Sequence, residues 1–406
     1  MLKVLKVNVR LTLQETTTMS KNPNDLYRSL FRSLGMPLLL GCLGLGCVLF
    51  ILGQRERAVE RIKTDLRHIP PEWMPYRQTS LFACPVVGKP TCFALLGNST
   101  FVVGSADPHA LSLFDGQGTL LKKIDLSEEP KAIVCGGPDT IFTDKIIVAH
   151  AVQIVVYSVE GDYEFELWDE LAAGTIAVSR IDEWVDTPGF RFPRYGFHSN
   201  HYSFKEKNFR SLILTSDSLF VADSGNRCLY RFVSGELIAK TFGLAQPRNI
   251  HFSLWDDTFR GFVVYASPIT MTISPTNDLL YITNPGRHRV EVFTQNGTYR
   301  PDLSWGEPSG DLDGFVGCCN PIDIAALDDG RILTVEKAIS RIKIYGTDGK
   351  LDCVVAGPDT LDEVPAKLGR TPAEPGGRYF SAVPLSNGRI AVFDYEYSVV
   401  RVFSPL

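Results

Sequence analysis

Several things are missing from this 406-residue sequence, and each absence removes a class of function. There is no basic excess: 41 Lys and Arg stand against 46 Asp and Glu, for a net charge of −5. A nucleic-acid binder needs a positive footprint, so nucleic acid is not an expected partner. No nucleophile elbow, phosphate loop or glycine-rich dinucleotide fingerprint occurs, which removes the readable signatures of hydrolases, P-loop enzymes and dinucleotide enzymes. No CxxC pair is present to signal a zinc or thioredoxin-like site. No cofactor is therefore expected. Charge is also absent from Ser33 to Gln54, an uninterrupted apolar run. That run is long enough to cross a hydrocarbon core of ~30 Å as one helix.

The run divides the chain. Residues 1–32 read as an N-terminal tail, 33–54 as an uncleaved transmembrane helix, and 55–75 as a charged helical stalk ended by Pro70-Pro71. Lys21, Arg28 and Arg32 precede the span, and Arg55, Arg57, Arg61, Lys63 and Arg67 follow it. The bare count of basic residues would put the C-terminal side in the cytoplasm. The plan of short tail, anchor and large domain is that of an exported domain. An extracytoplasmic domain is the expectation adopted.

From Tyr76 to the end the sequence repeats. A short apolar strand ends in a polar residue and turn, and an alternating strand then ends in an aromatic. This unit occurs as Phe101–Ser105 to Phe114, Leu219–Asp223 to Phe232, Leu280–Asn284 to Phe293, Ile332–Glu336 to Tyr345 and Ile390–Asp394 to Phe403, with a weaker copy from Ile146–Ala149 to Tyr157. Alternation such as Arg341-Ile-Lys-Ile-Tyr345 predicts half-buried strands of period two. Units of this size cannot bury their faces singly and must stack. The expected fold is all-β, a six-bladed β-propeller over residues 76–406, with an insert at 172–208. The last copy stops one strand short. Thr79–Val87 is the candidate to complete it and close the ring.

The fullest unit, Asp313–Gly357, also carries the least ordinary chemistry: Gly317-Cys318-Cys319-Asn320 before its first strand and Glu336-Lys337 at its turn. The adjacent cysteines could be a redox pair, a vicinal disulfide, thiolate ligands for a soft metal, or simply one side chain inward and one outward. The nine cysteines fix no redox compartment. Cys84 with Cys92, and Cys318 or Cys319 with Cys353, are possible pairs, while small buried hydrophobes are the plainer account. Equivalent turns of a propeller share one end face. Asp223, Arg227, Asn284, Arg287, His288, Asn320, Glu336, Lys337, Arg341 and Asp394, with Cys318 and Cys319, are accordingly binding-surface candidates. Each carboxylate or amide could instead close its own turn.

The segments Leu219-Phe-Val-Ala-Asp-Ser-Gly-Asn-Arg227 and Asn284-Pro-Gly-Arg-His-Arg-Val-Glu-Val-Phe293 resemble NHL repeats. The Gly317-Cys-Cys-Asn-Pro321 stretch, with Thr334-Val-Glu-Lys337, resembles a bacterial membrane-anchored subgroup of that family. The sixth, weaker copy lacks the acidic residue, and Asp394-Tyr-Glu-Tyr replaces Gly-Asn in the last. The resemblance implies a six-bladed propeller used as a platform for a protein, peptide or glycan. It also raises an alternative, since peptide-amidating NHL lyases use metal-bound histidines: His198 and His201 lie three apart in the aromatic insert. A third ligand could come only from His150, His251 or His288. The expected function is thus a membrane-tethered binding module. The competing reading is a redox or metal-dependent, lyase-like enzyme using Cys318/Cys319 or His198/His201.

Overall fold

In the computed structural model the residues described are 66–85, 88–97, 99–151, 153–168, 208–225, 227–233, 236–242, 261–264, 267–337, 339–363 and 379–406. The 33–54 run, most of the stalk and all of the insert except Asn208 lie outside them. Among the described residues no helix is long and apolar enough to cross a membrane.

The chain is a succession of antiparallel sheets. The first strand, β1 (Tyr76–Ala83), is set aside for the last sheet. Blade one is β2 (Pro90–Leu96), β3 (Thr100–Ala106), β4 (His109–Phe114) and β5 (Leu120–Asp125). Blade two is β6 (Ala132–Cys135), β7 (Lys145–Ala149), β8 (Ile154–Ser158) and β9 (Tyr163–Trp168). Blade three is β10 (Phe209–Leu214), β11 (Ser218–Asp223), β12 (Cys228–Val233) and β13 (Glu236–Phe242). Blade four has β14 (Met271–Ile273), β15 (Leu279–Asn284) and β16 (Arg289–Thr294), and blade five β17 (Asp323–Ala326), β18 (Ile332–Glu336), β19 (Arg341–Tyr345) and β20 (Leu351–Ala356). Blade six takes β21 (Phe380–Pro384), β22 (Ile390–Asp394) and β23 (Val399–Pro405), and β1 pairs with β23 on its outer edge. This is the six-bladed propeller that the repeats predict.

Closure works much as expected, but with a different strand boundary. The closing strand runs from Tyr76 rather than Thr79, and it stops at Ala83. Cys84 donates one last bond to Ser398 O, 2.7 Å away. Pro85 has no N–H to continue the ladder. Blade four also departs from the four-stranded sheets of the other blades. Its outer position holds only isolated bridges, Phe293 to Tyr299 and Val290 to Trp305, because Pro301 opens a 3-10 turn between them.

Six apolar clusters account for the ring, one at each blade junction from blades one–two round to six–one. Close approach between blades also fixes some turn chemistry. Gly330 has φ +89°, and a Cβ there would fall 2.0 Å from Thr276 Oγ1 of blade four. That position needs both the left-handed backbone and the missing side chain. The innermost strands do not pair with one another, so single side chains join them. Thr91 Oγ1 donates to Pro130 O at 2.6 Å, Ser211 Oγ accepts from Met271 N at 3.3 Å, and Thr272 Oγ1 accepts from Ala326 N at 2.9 Å. Between blades five and six the acceptor is a carboxylate, Asp323 Oδ2, 3.2 Å from Ala382 N.

The alternating third strands are not half-buried. Every residue of β19, Arg341 and Lys343 included, is buried. A middle strand of a blade is covered on both faces by its neighbours, so its polar residues must find partners inside the protein.

Candidate functional site

The second-strand ends sit where the repeat puts them, but their side chains do not reach solvent. Asp223, Asn284, Glu336 and Asp394 are all fully buried. Asp223 Oδ1 accepts from Asn208 N at 2.9 Å and Gly225 N at 3.0 Å. Asp394 Oδ1 accepts from Glu396 N and Tyr397 N at 3.0 and 3.3 Å. Asn284 Oδ1 accepts from Val263 N at 2.8 Å, and Glu336 Oε2 from Val316 N at 3.0 Å. Asp394 closes its own turn, Asn284 and Glu336 hold the loop leading into their blades, and Asp223 does both.

Seven residues further on, in the third strand, stands a second buried polar residue that the sequence reading missed: Tyr230, Glu291, Lys343 or Arg401. Tyr230 OH lies 3.4 Å from Asp223 Oδ2, and Asn284 Nδ2 donates to Glu291 Oε1 at 3.0 Å. In blade five the Lys343 ammonium sits 2.7 Å from Glu336 Oε1, with both side chains wholly excluded from solvent. The polar residue at this fixed interval is visible in the sequence, but alternation alone predicts a half-buried strand and does not show which polar side chains are covered.

Blade five assembles most of the predicted residues around one loop. Lys343 Nζ donates to Gly314 O at 2.6 Å and Leu312 O at 3.1 Å, and lies 4.6 Å from the centre of the Phe315 ring. Burial holds its pKa down, with Glu336 opposing the shift. Arg341, likewise depressed by burial, donates to Leu66 O at the end of the stalk. Tyr345 OH donates to Asp313 O at 2.9 Å. His288 reaches over from blade four, its Nδ1 3.1 Å from Phe315 O. Asn320 is buried, and its amide grips both backbone groups of Lys337: Nδ2 donates to Lys337 O and Oδ1 accepts from Lys337 N, each at 2.9 Å. Loop 312–320 is thus tied down along its length.

What remains outside is small and specific. Cys318 is exposed, and its Sγ lies 3.0 Å from that of the buried Cys319. Lys337 Nζ donates to Tyr379 OH at 3.2 Å and lies 5.1 Å from the centre of its ring. Tyr379 in turn lines the axial cavity, about 900 Å³ enclosed by the inner strands. Arg287 Nε donates to Gly261 O at 3.1 Å on the blade-four turn. Asp223 and Arg227 belong to blade three; Asp394 belongs to blade six, where it pairs across the sheet with Phe380, the residue after Tyr379.

The cavity wall adds residues that sequence reasoning did not select: Arg210, Asp323, Ser381 and Tyr395. Ser381 Oγ and Tyr395 OH are 2.9 Å apart, and Ser381 also bonds the Asp323 carboxyl. Burial pushes Asp323 up to about 6. Its signal was a lone charge in the otherwise apolar Pro321-Ile-Asp-Ile-Ala-Ala326.

For the metal-lyase alternative, His198, His201 and His251 lie outside the described residues. His150 is buried, with Nδ1 3.2 Å from Glu129 O, and burial lowers its pKa. Among the described residues no three His, Cys, Asp or Glu side chains converge as a metal site. None of the described cysteines is in a disulfide, so neither Cys84 with Cys92 nor Cys353 with Cys318 or Cys319 is paired. Burial pushes the thiols of Cys84, Cys92, Cys135 and Cys353 up to about 12.

No family model and no curated protein matches this sequence. Solved structures do resemble it. A Bacteroides thetaiotaomicron protein of unknown function superposes with a TM-score of 0.47 at 12% identity, over 78% of this chain and 69% of its own. A gluconolactonase from Xanthomonas campestris gives 0.46 at 11%, over 81% and 90%. Virginiamycin B lyase from Staphylococcus aureus gives 0.44 at 9%, over 82% of this chain and 100% of its own. Resemblance at this level says nothing about activity.

Proposed function

We propose that this chain is an NHL-like propeller that serves as a binding platform for a protein, peptide or glycan, tethered by residues 33–54 with the propeller on the extracytoplasmic side. The observation that carries the binding reading is the Lys337–Tyr379 pair. An ammonium seated against an exposed aromatic ring at the edge of the axial cavity is a preorganised recognition element. The ring offers a flat apolar face for a sugar or a peptide side chain, and the ammonium offers donors to its carbonyl, carboxylate or hydroxyl groups. The buried ring of Asp223, Asn284, Glu336 and Asp394 supports this rim without touching the ligand.

The test is to screen the full-length protein on peptide and glycan arrays beside Lys337→Ala and Tyr379→Ala. The expected result is a shared set of ligands lost in both variants while their thermal midpoints stay at the wild-type value. Ligands retained by both variants would contradict the assignment. Tethering and orientation are checked separately by protease protection of the propeller in sealed membrane vesicles.

A further inference from the structure

We propose that Cys318 and Cys319 form a reversible oxidation site, closing to a vicinal disulfide when the protein meets a low-molecular-weight disulfide of the glutathione class. Three observations carry this. Adjacent side chains in extended backbone point to opposite faces, yet here the two sulfurs lie 3.0 Å apart. The turn that brings them together has Gly317 at φ +85° and Cys319 at φ +63°, a left-handed position that cysteine seldom takes. The turn is also held from both sides. Glu336 takes Val316 N ahead of it, and Asn320 locks onto Lys337 behind it, so the pair is preorganised.

Accessibility separates this pair from the remaining described thiols. Cys318 is exposed and meets the reagent first, while Cys319 is covered and positioned to resolve. Hydrogen bonding with Cys319 raises the Cys318 thiol, and Lys337 works in the opposite direction. A raised thiol makes the reaction slow at neutral pH and faster as pH rises.

The exchange balances. Cys318 as thiolate attacks one sulfur of the reagent, a mixed disulfide forms and one thiolate leaves. Cys319 gives up its proton and attacks Cys318 Sγ, the intramolecular bond forms and the second thiolate leaves. The two cysteines lose two electrons in all, and the reagent departs as two thiols carrying the two protons. Neighbouring Cα atoms are only ~3.8 Å apart, below the ~4.4–6.8 Å usual for disulfides. The closed form is therefore strained and readily reduced, as befits a reversible site. The inference stands whatever ligand the rim takes.

The test incubates the full-length protein with oxidised glutathione, quenches in acid, alkylates, and maps the peptide containing Cys318 and Cys319 by mass spectrometry. The expected peptide has lost two hydrogens and both alkylation sites, and regains them with dithiothreitol. Cys319→Ser stops at the glutathione mixed disulfide on Cys318. A wild-type peptide that stays fully alkylatable, or that keeps a stable glutathione adduct, overturns the proposal. Phenylarsine oxide gives a second readout, since it needs two converging thiols. It protects both cysteines in the wild type and neither remaining cysteine in Cys318→Ser or Cys319→Ser; failure to protect the wild type shows that the sulfurs do not converge and also overturns it.

Discussion

Blades four and five place the same problem at the same position and solve it with opposite charges. Both end the second strand in a buried polar side chain that accepts from the backbone of the incoming loop, Asn284 from Val263 N and Glu336 from Val316 N. In blade four the amide then donates to a buried carboxylate, Glu291, which Tyr299 OH also reaches at 2.9 Å. In blade five the carboxylate faces a buried ammonium, Lys343. The blade needs a matched donor and acceptor at this spot, not a particular residue. The ionic solution does one thing more: the ammonium has donors left over, and spends them on Leu312 O and Gly314 O. Blade five thereby fixes a long loop, and with it the cysteines and Lys337.

The largest expected effect comes from breaking the ionic version. Lys343→Met leaves Glu336 charged and buried without its counter-ion, at a cost of about 3–5 kcal/mol, read as a lowered unfolding free energy in denaturant. The amide version fails more gently. Asn284→Ala strands Val263 N and removes one donor from Glu291, and should cost about 1–3 kcal/mol in the same assay.

That difference also shows what the sequence could and could not disclose. Six repeats, the closing strand and the face carrying the turns were legible because strand alternation, Asp-Gly turns and nine-residue spacing are local signals. The burial of Lys343 was not. Alternation in Arg341-Ile-Lys-Ile-Tyr345 looks the same whether the polar side chains meet water or a loop folded over them, and the loop residue that Lys343 reaches, Gly314, lies 29 residues earlier in the chain. Asp323 escaped for the same reason, its partner Ala382 being 59 residues away.

The inner strands extend the comparison to pH. Blade four accepts its neighbour's N–H with the Thr272 hydroxyl, which does not titrate in the working range, and blade five with the Asp323 carboxyl. Burial raises Asp323 to about 6, above its unfolded value. The folded state therefore binds this proton more tightly. The corresponding stability is fully present below about pH 4 and is lost as pH rises through about 6. Between pH 4 and 7 Asp323→Asn should gain stability relative to the wild type by about 1–2 kcal/mol, allowing for partial solvent screening, because it lacks this declining contribution. A difference between variant and wild type that does not change with pH would place the titration elsewhere.

The smallest effect is expected at the rim. Blade four begins its turn with Pro285, blade five with Lys337, whose ammonium rests on Tyr379. Lys337→Ala should change stability by less than about 1 kcal/mol while abolishing array binding. A large loss of stability would make Lys337 part of the scaffold.

The most direct measurement of the central claim, that Glu336 and Lys343 act as one buried unit holding the loop, is a double-mutant cycle. Unfolding free energies are measured for the wild type, Glu336→Gln, Lys343→Met and the double variant. The account predicts that the two single losses together exceed the double loss by about 2–3 kcal/mol. Additivity to within about 0.5 kcal/mol would contradict it.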